Sequence, residues 1–301
     1  MIIIFLLSLA PFSADRVEIT KNNGESIVHL VGNVLIEDEK TRITCAEAYY
    51  HELKNYVILT DNIRIVDDQG EIRADIATYD FESKQGFLKG NVRLMRRNEI
   101  FTSDSLLYDG AGKDVKMFSN VMIEATDSTL RAFGTSAQYD LDAEIGWLTE
   151  NPSLEILRKE RSPMFIDAQK FRLDNKKNIL YGYDSVVARI DSVVVTCDTF
   201  VYDVKTTHGT MTKPIITEVD NRLIGETGSF VMKDNDIETL SVHNGWSQYY
   251  TKNGTKNTIE GETITIVFEE GQANRIIVIG EPRGVVHMGK GDSDVSDEEP
   301  Y

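Results

Sequence analysis

At 301 residues, with 41% hydrophobic and 27% charged side chains, the chain has the composition of an ordinary folded protein, long enough to bury a sizeable core. Its formal net charge of −17 leaves no basic footprint, which argues against nucleic acid or an anionic membrane surface as the main partner. Two cysteines and five scattered histidines provide no disulfide framework and no metal-ligand spacing.

Met1 to Ala14 is an apolar run that ends in small residues before Asp15 and is too short for a bilayer core of roughly 30 Å. It reads as a secretory signal peptide, with two departures: no Lys or Arg precedes the run, and Phe12 is bulky for its place near the cut. A buried first strand and a retained anchor are the alternatives. Val17 to Thr20 follows as a lead-in edge strand.

From Val28 the sequence repeats. Asn33, Asn62, Asn91 and Asn120 are each 29 residues apart, and a looser copy at Asn151 follows after 31. A fixed period of this length marks stacked units. Around each Asn the apolar residues fall three before, one after and three after: Leu30, Val34, Ile36; Leu59, Ile63, Ile65; Leu88, Val92, Leu94; Met117, Val121, Ile123. These offsets share one parity and so lie on one face of a β-strand. The small or polar residue before each Asn (Gly32, Asp61, Gly90, Ser119) has the same parity, which predicts a gap in that inner face.

A second segment in each unit is anchored on an aromatic: Tyr50, Tyr79, Tyr108, Tyr139. Seven earlier stand Ile43, Ile72, Phe101 and Ala132; five earlier, Cys45, Ala74, Ser103 and Gly134; two earlier, Ala48, Ala77, Leu106 and Ala137. The inward parity changes between the last two sets, so a bulge or corner is predicted on this strand, often at Asp75, Asp104 or Asp198. The segment recurs through Phe171 and Leu173, then Phe200 and Tyr202, and more loosely to Ile266, giving eight repeats of 29 to 34 residues. The expectation is an all-β chain of roughly 16 strands plus edges. Insertions fall in turns near Arg158 to Pro163 and Tyr250 to Asn257, and the loosening near residues 150–163 is a candidate sub-domain break. Residues 290–301 read as a disordered acidic tail.

The Asn column reads as a ladder of stacked amides at a bulge, because Asn tolerates unusual φ. The Tyr column reads as a structural stack, with contact to lipid or sugar as the alternative. Asp75, Asp104 and Asp198 recur at one position, favouring a backbone role over a calcium ladder. No nucleophile elbow, phosphate loop or Cys/His pairing occurs, so the chain reads as a protein without catalytic chemistry or cofactor. Cys45 and Cys197 share one repeat position five repeats apart. At about 4.8 Å or more per repeat they stand roughly 24 Å apart, beyond the disulfide limit of about 7 Å, and are expected to be buried free thiols.

The strands Val31-Gly32-Asn33-Val34 and Lys89-Gly90-Asn91-Val92, with Ala74-Asp75-Ile76-Ala77-Thr78-Tyr79-Asp80 and the secretory start, resemble the OstA-like family. That family comprises the periplasmic lipopolysaccharide-transport bridge protein and the related N-terminal domain of the outer-membrane translocon. The resemblance is tightest over Val28 to Asp140 and thins toward Gly289. It implies a stacked-repeat, twisted, V-shaped β-jellyroll in the periplasm, with lipopolysaccharide or a similar glycolipid held by its acyl chains between the sheets. It also implies edge-to-edge joining with other OstA-like domains, those of the inner-membrane export complex and the outer-membrane translocon, or with further copies of itself. The inward residues of the Asn strands, together with Ile43, Ile72 and Phe101, would line the groove. Two alternatives stay open: a parallel β-helix acting on polysaccharide, and a structural β-solenoid of the cell envelope with a filled interior.

Overall fold

The structure, a computed structural model, describes residues 11–22, 24–37, 41–68, 70–96, 98–127, 129–250, 254–269 and 271–285. The apolar start as far as residue 10, the turn at 38–40 and the acidic tail lie outside the described residues. All 24 strand segments join one sheet, and every ladder is antiparallel. Among the described residues there is no helix.

The chain opens with β1 (Phe12–Ser13) and β2 (Arg16–Asn22), followed by the long strands β3 (Glu25–Glu37), β4 (Arg42–His51), β5 (Tyr56–Val66), β6 (Glu71–Asp80), β7 (Gln85–Arg96), β8 (Glu99–Asp109), β9 (Asp114–Ala125) and β10 (Leu130–Asp140). Next come β11 (Ile145–Thr149), β12 (Ser153–Ile156), β13 (Met164–Asp167), β14 (Lys170–Asp174), β15 (Ile179–Ile190), β16 (Val193–Asp203), β17 (His208–Thr212) and β18 (Ile215–Glu218). The chain finishes with β19 (Asn221–Ile224), β20 (Thr227–Lys233), β21 (Asp236–Tyr250), β22 (Lys256–Glu269), β23 (Gln272–Ile279) and β24 (Arg283–Val285). The 24 segments are 18 long strands, six of them broken in two near their middle: β10, for example, pairs with both β11 and β12. Across residues 150–163 the sheet is continued by β11 and β12, which pair with β10 on one side and with β14 and β13 on the other. Uniform antiparallel pairing excludes the parallel β-helix.

The mid-strand irregularity is the organising feature. Gly32 and Asn33 both have positive φ (77° and 45°), and so do Asp61 and Asn62, Gly90 and Asn91, Ser119 and Asn120, and Glu150 and Asn151. On each side of β7 the register skips at this level, three steps along β7 facing two along β8 and four facing three along β6. The extra residue therefore sits on the Asn strand, where Asn and Gly accept the left-handed region at little cost. This corrects the expectation of a bulge on the aromatic strand, which bends at the same level without a left-handed residue. The residues before each Asn are also not inward. Asp61 and Ser119 are exposed, and a side chain at Gly90 would collide with the Asp75 carboxylate on the outer side, so the inner face has no gap there.

Nor do the amides stack on one another. Asn33 Nδ2 donates to Asp15 Oδ2, Asn91 to Asp75 and Asn120 to Asp104, each at 2.9 Å. The pattern outlasts the sequence copies: Asn244 donates to Glu226 at 2.8 Å and Lys213 to Asp198 at 2.8 Å. A recurring carboxylate thus binds the side chain at the neighbouring bulge, and this is the role of Asp75, Asp104 and Asp198.

Each bulge divides its strand into two arms, and the two sets of arms face each other across the core. One rim carries the hairpins at 66–71, 96–99, 125–130, 156–164 and 190–193; the other carries those at 80–85, 109–114, 140–145, 174–179, 203–208, 233–236 and 269–272. The sheet has two free edges among the described residues, β1 with β2 and β23 with β24, each pair bonded on one side only.

Candidate binding cleft

The interior is not uniform along the stack. Beneath β3 to β6 it is filled: Leu30, Val34, Ile36, Ile43, Leu59, Ile63, Ile65 and Ile72 are buried core, and Leu88, Val92 and Val121 continue it. From the end of β7 the arms part to form a cleft of ≈ 210 Å³, open at its mouth. Of the inward residues singled out from the sequence, Leu94, Phe101, Met117 and Ile123 line this cleft, and the remaining eleven lie in the filled interior.

The opening has a local cause. The position occupied by Ile43, Ile72 and Phe101 in earlier aromatic strands holds Ala132 in β10, and the position of Cys45, Ala74 and Ser103 holds Gly134. These truncations remove several carbons from one wall, and the space is only partly recovered by Leu148, which packs over Gly134. The opposite wall is formed by the arms of Val115, Leu148, Phe171, Leu173 and Leu180, and Leu154 of β12 joins the first wall beside Ala132.

Polar groups stand mainly at the margins. Arg96 and Glu99, cross-strand partners, mark one rim, and Asn175 and Gln138 lie on the other side. Asn175 Nδ2 donates to the Tyr139 hydroxyl at 3.2 Å. Val204 is exposed at the mouth. An apolar lining with a few polar groups at the margin suits an extended hydrocarbon group with a polar end.

The other aromatics of the Tyr column pack as structure. Tyr79 and Tyr108 are buried, and burial raises both phenol pKa values. Tyr79 and Phe81 make an edge contact at 5.1 Å, and Tyr202 stacks on Phe230 at 5.8 Å. Glycines on adjacent strands make room for these rings: Gly86 under Tyr79, Gly182 under Phe200 and Gly209 under Phe230. Those glycines carry a readable signal that the repeat alignment did not use. Cys45 and Cys197 are both buried and free, and burial pushes their thiols up to about 12 and about 11. Such thiols are inert, not nucleophilic.

Residues 12–132 match the family described as OstA-like protein. No curated protein matches the chain. Among solved structures it is similar to the crystal structure of LptH, the LptA homologous periplasmic component of the conserved lipopolysaccharide transport device from Pseudomonas aeruginosa, at 12% identity over 44% of this chain and 73% of that one, with a TM-score of 0.20.

Proposed function

From a chain whose residues 12–132 are OstA-like, we propose a non-enzymatic role in lipopolysaccharide transport: the protein is a periplasmic carrier or bridge that holds glycolipid acyl chains in the cleft flanked by β7 and β15. The cleft carries this reading. Burying methylenes is favourable by about 0.8 kcal/mol each, so ten buried methylenes give on the order of 8 kcal/mol before the cost of immobilising the ligand. That is enough to offset repulsion between an anionic lipid and a chain of net charge −17, because the charges face water, where they are screened within about 8 Å. The sugars would project from the mouth past Arg96 and Val204.

The free edges support the bridging half of the proposal. Ile19 in β2 is 67% exposed and Ile279 in β23 is 62% exposed, each on a strand with one unpaired side. Such edges accept a further strand, so the partners are other OstA-like domains, of the inner-membrane export complex and the outer-membrane translocon, or a second copy of this chain. A solenoid filled throughout does not describe an interior that opens at β7.

The test is photocrosslinking in cells that make lipopolysaccharide, with the photoreactive residue at Phe101 or Ile123 in the cleft and at Val34 in the filled core. Adducts with lipopolysaccharide are expected from the first two positions and not from the third. Absence of lipid adducts from both cleft positions would overturn the carrier reading.

A further inference from the structure

The insertion between β12 and β13 reaches across the mouth of the fold. Arg158 belongs to the rim at 156–164, and its side chain is 1% exposed. It pairs with Asp191 at 2.7 Å on the same rim and with Asp236 at 3.0 Å, which stands on the opposite rim in the hairpin between β20 and β21. Its Nε also donates to the Ser162 carbonyl at 2.7 Å, folding the insertion around the guanidinium. Arg161 pairs with the same Asp236 at 2.9 Å and lies against Gly271 on that opposite rim. Asn235 Nδ2 donates to the Leu157 carbonyl at 3.1 Å. Three residues of one rim, Leu157, Arg158 and Arg161, are thus clasped to Asn235, Asp236 and Gly271 of the other.

The position of this clasp is what makes it informative. On the side of the first rim the cleft is lined as far as Leu130 of β10 and Leu154 of β12, and the Leu157 amide, just past β12, is bonded to the Thr129 carbonyl at 2.9 Å. Along the second rim the cleft extends to Val204, and the next hairpin is the one that carries Asn235 and Asp236. The clasp therefore follows the open mouth directly on both rims. Beyond it the arms are shut on a filled interior of Leu223, Leu240, Val242 and Ile264, with Val242 at 0% exposure.

We propose that the Arg158 clasp is a gate dividing the trough: an acyl chain in the cleft passes toward the C-terminal edge only when the clasp is released. This rests on the carrier reading above. A buried guanidinium shared by two carboxylates is suited to the task. It is stable when paired, because removing either partner leaves a buried charge uncompensated. Once the rims part, all three groups are solvated by water, so the closed and open arrangements are discrete states.

The gate is tested with a diazirine-bearing palmitoyl phosphatidic acid as probe, its attachment sites mapped by mass spectrometry on the full chain carrying Cys45→Ala and Cys197→Ala. Cysteines introduced by Leu157→Cys and Asn235→Cys are joined with a reducible bifunctional thiol reagent, locking the rims. With the rims locked, labelling of the segment 94–180 should persist while labelling of 223–264 falls at least fivefold; reduction should restore it. Arg158→Gln, shown by its thermal transition to be folded, should raise labelling of 223–264 severalfold. Equal labelling of 223–264 in locked and unlocked protein overturns the gate alone, and so does its absence in folded Arg158→Gln when the cleft is labelled. No labelling of either segment overturns the carrier reading and the gate with it.

Discussion

Asn91 Nδ2 donates to Asp75 Oδ2 at 2.9 Å while the Asn91 backbone stands at φ 47°, so one residue supplies both the left-handed turn of the bulge and its tie to the neighbouring strand. Asn91→Gly should keep the turn and lose only an exposed hydrogen bond, costing a few tenths to about 1 kcal/mol. Asn91→Val loses the bond and places a β-branched residue at positive φ, costing about 2 kcal/mol or more. Urea denaturation of the two variants checks the ordering; equal losses would mean that the bulge is held by something other than its backbone conformation.

The last inward position of the Asn strand provides a second comparison. Ile36 and Ile65 are buried there, whereas Leu94 and Ile123 line the cleft and are only partly buried. Ile65→Ala should therefore cost about 2–5 kcal/mol, as large-to-small changes in filled cores do. Ile123→Ala should cost only about 1 kcal/mol, since the removed atoms already face open space. Matched losses in thermal or urea unfolding would show the interior to be filled at both levels.

The buried thiols have a pH signature. Burial raises Cys45 from an ordinary value near 9.0 to about 12 and Cys197 to about 11. A group with a raised folded-state pKa contributes its full share of stability below the unfolded value, and that share is lost as pH climbs through the folded one. Stability should thus fall between about pH 9 and 12, less so in Cys45→Ala corrected for its packing loss. At pH 8 both thiols should react with iodoacetamide only after denaturation, and alkylation of the native protein at the rate of a free thiol would contradict their burial.

Edge pairing makes a prediction that leaves the core untouched. Ile19→Lys or Ile279→Lys places a charge on a free edge strand, a change that blocks strand addition and alters the stability of an exposed site by no more than about 0.5 kcal/mol. Sedimentation of the protein with itself, or with an OstA-like partner, should lose the end-to-end species while each monomer melts as before. Association unaffected by both changes would move the contact away from these edges.

Much of this was legible in the residues. The 29-residue Asn spacing fixed the stacking, and the shared parity of Leu30, Val34 and Ile36 identified their inward face. What pattern could not assign was ownership of the bulge. Parity changes in the aromatic strand and is kept in the Asn strand, yet the extra residue lies on the latter, because two consecutive left-handed residues advance the chain by four while restoring the same facing. Side-chain pairing across the bulge, Asn to Asp, depends on which strands are neighbours and is invisible in a single repeat. The Arg158 clasp joins residues 78 apart on opposite rims, a relationship produced by the folding over of the arms and not by the period. The cleft, by contrast, was written in the alignment: Ala132 and Gly134 stand where Ile43 and Cys45 stand, and a repeat that loses bulk at two inward positions leaves room.

That substitution can be reversed. Ala132→Ile restores the side chain found at Ile43 and Ile72, at a site where the cleft provides space for it. Added apolar surface with room to pack should leave stability unchanged or raise it, unlike an insertion into a filled core, which costs about 1–3 kcal/mol. Displacing two or three methylenes of a bound acyl chain at about 0.8 kcal/mol each should weaken binding of a fluorescent palmitoyl probe by about tenfold or more. The paired control is Ala48→Ile, the corresponding overpacking of the filled interior beneath β3 and β4. It should lower the thermal transition and leave the affinity of the folded protein unchanged. Undiminished probe binding in Ala132→Ile would remove the cleft wall from the site, and weakened binding in both variants would trace the effect to lost stability.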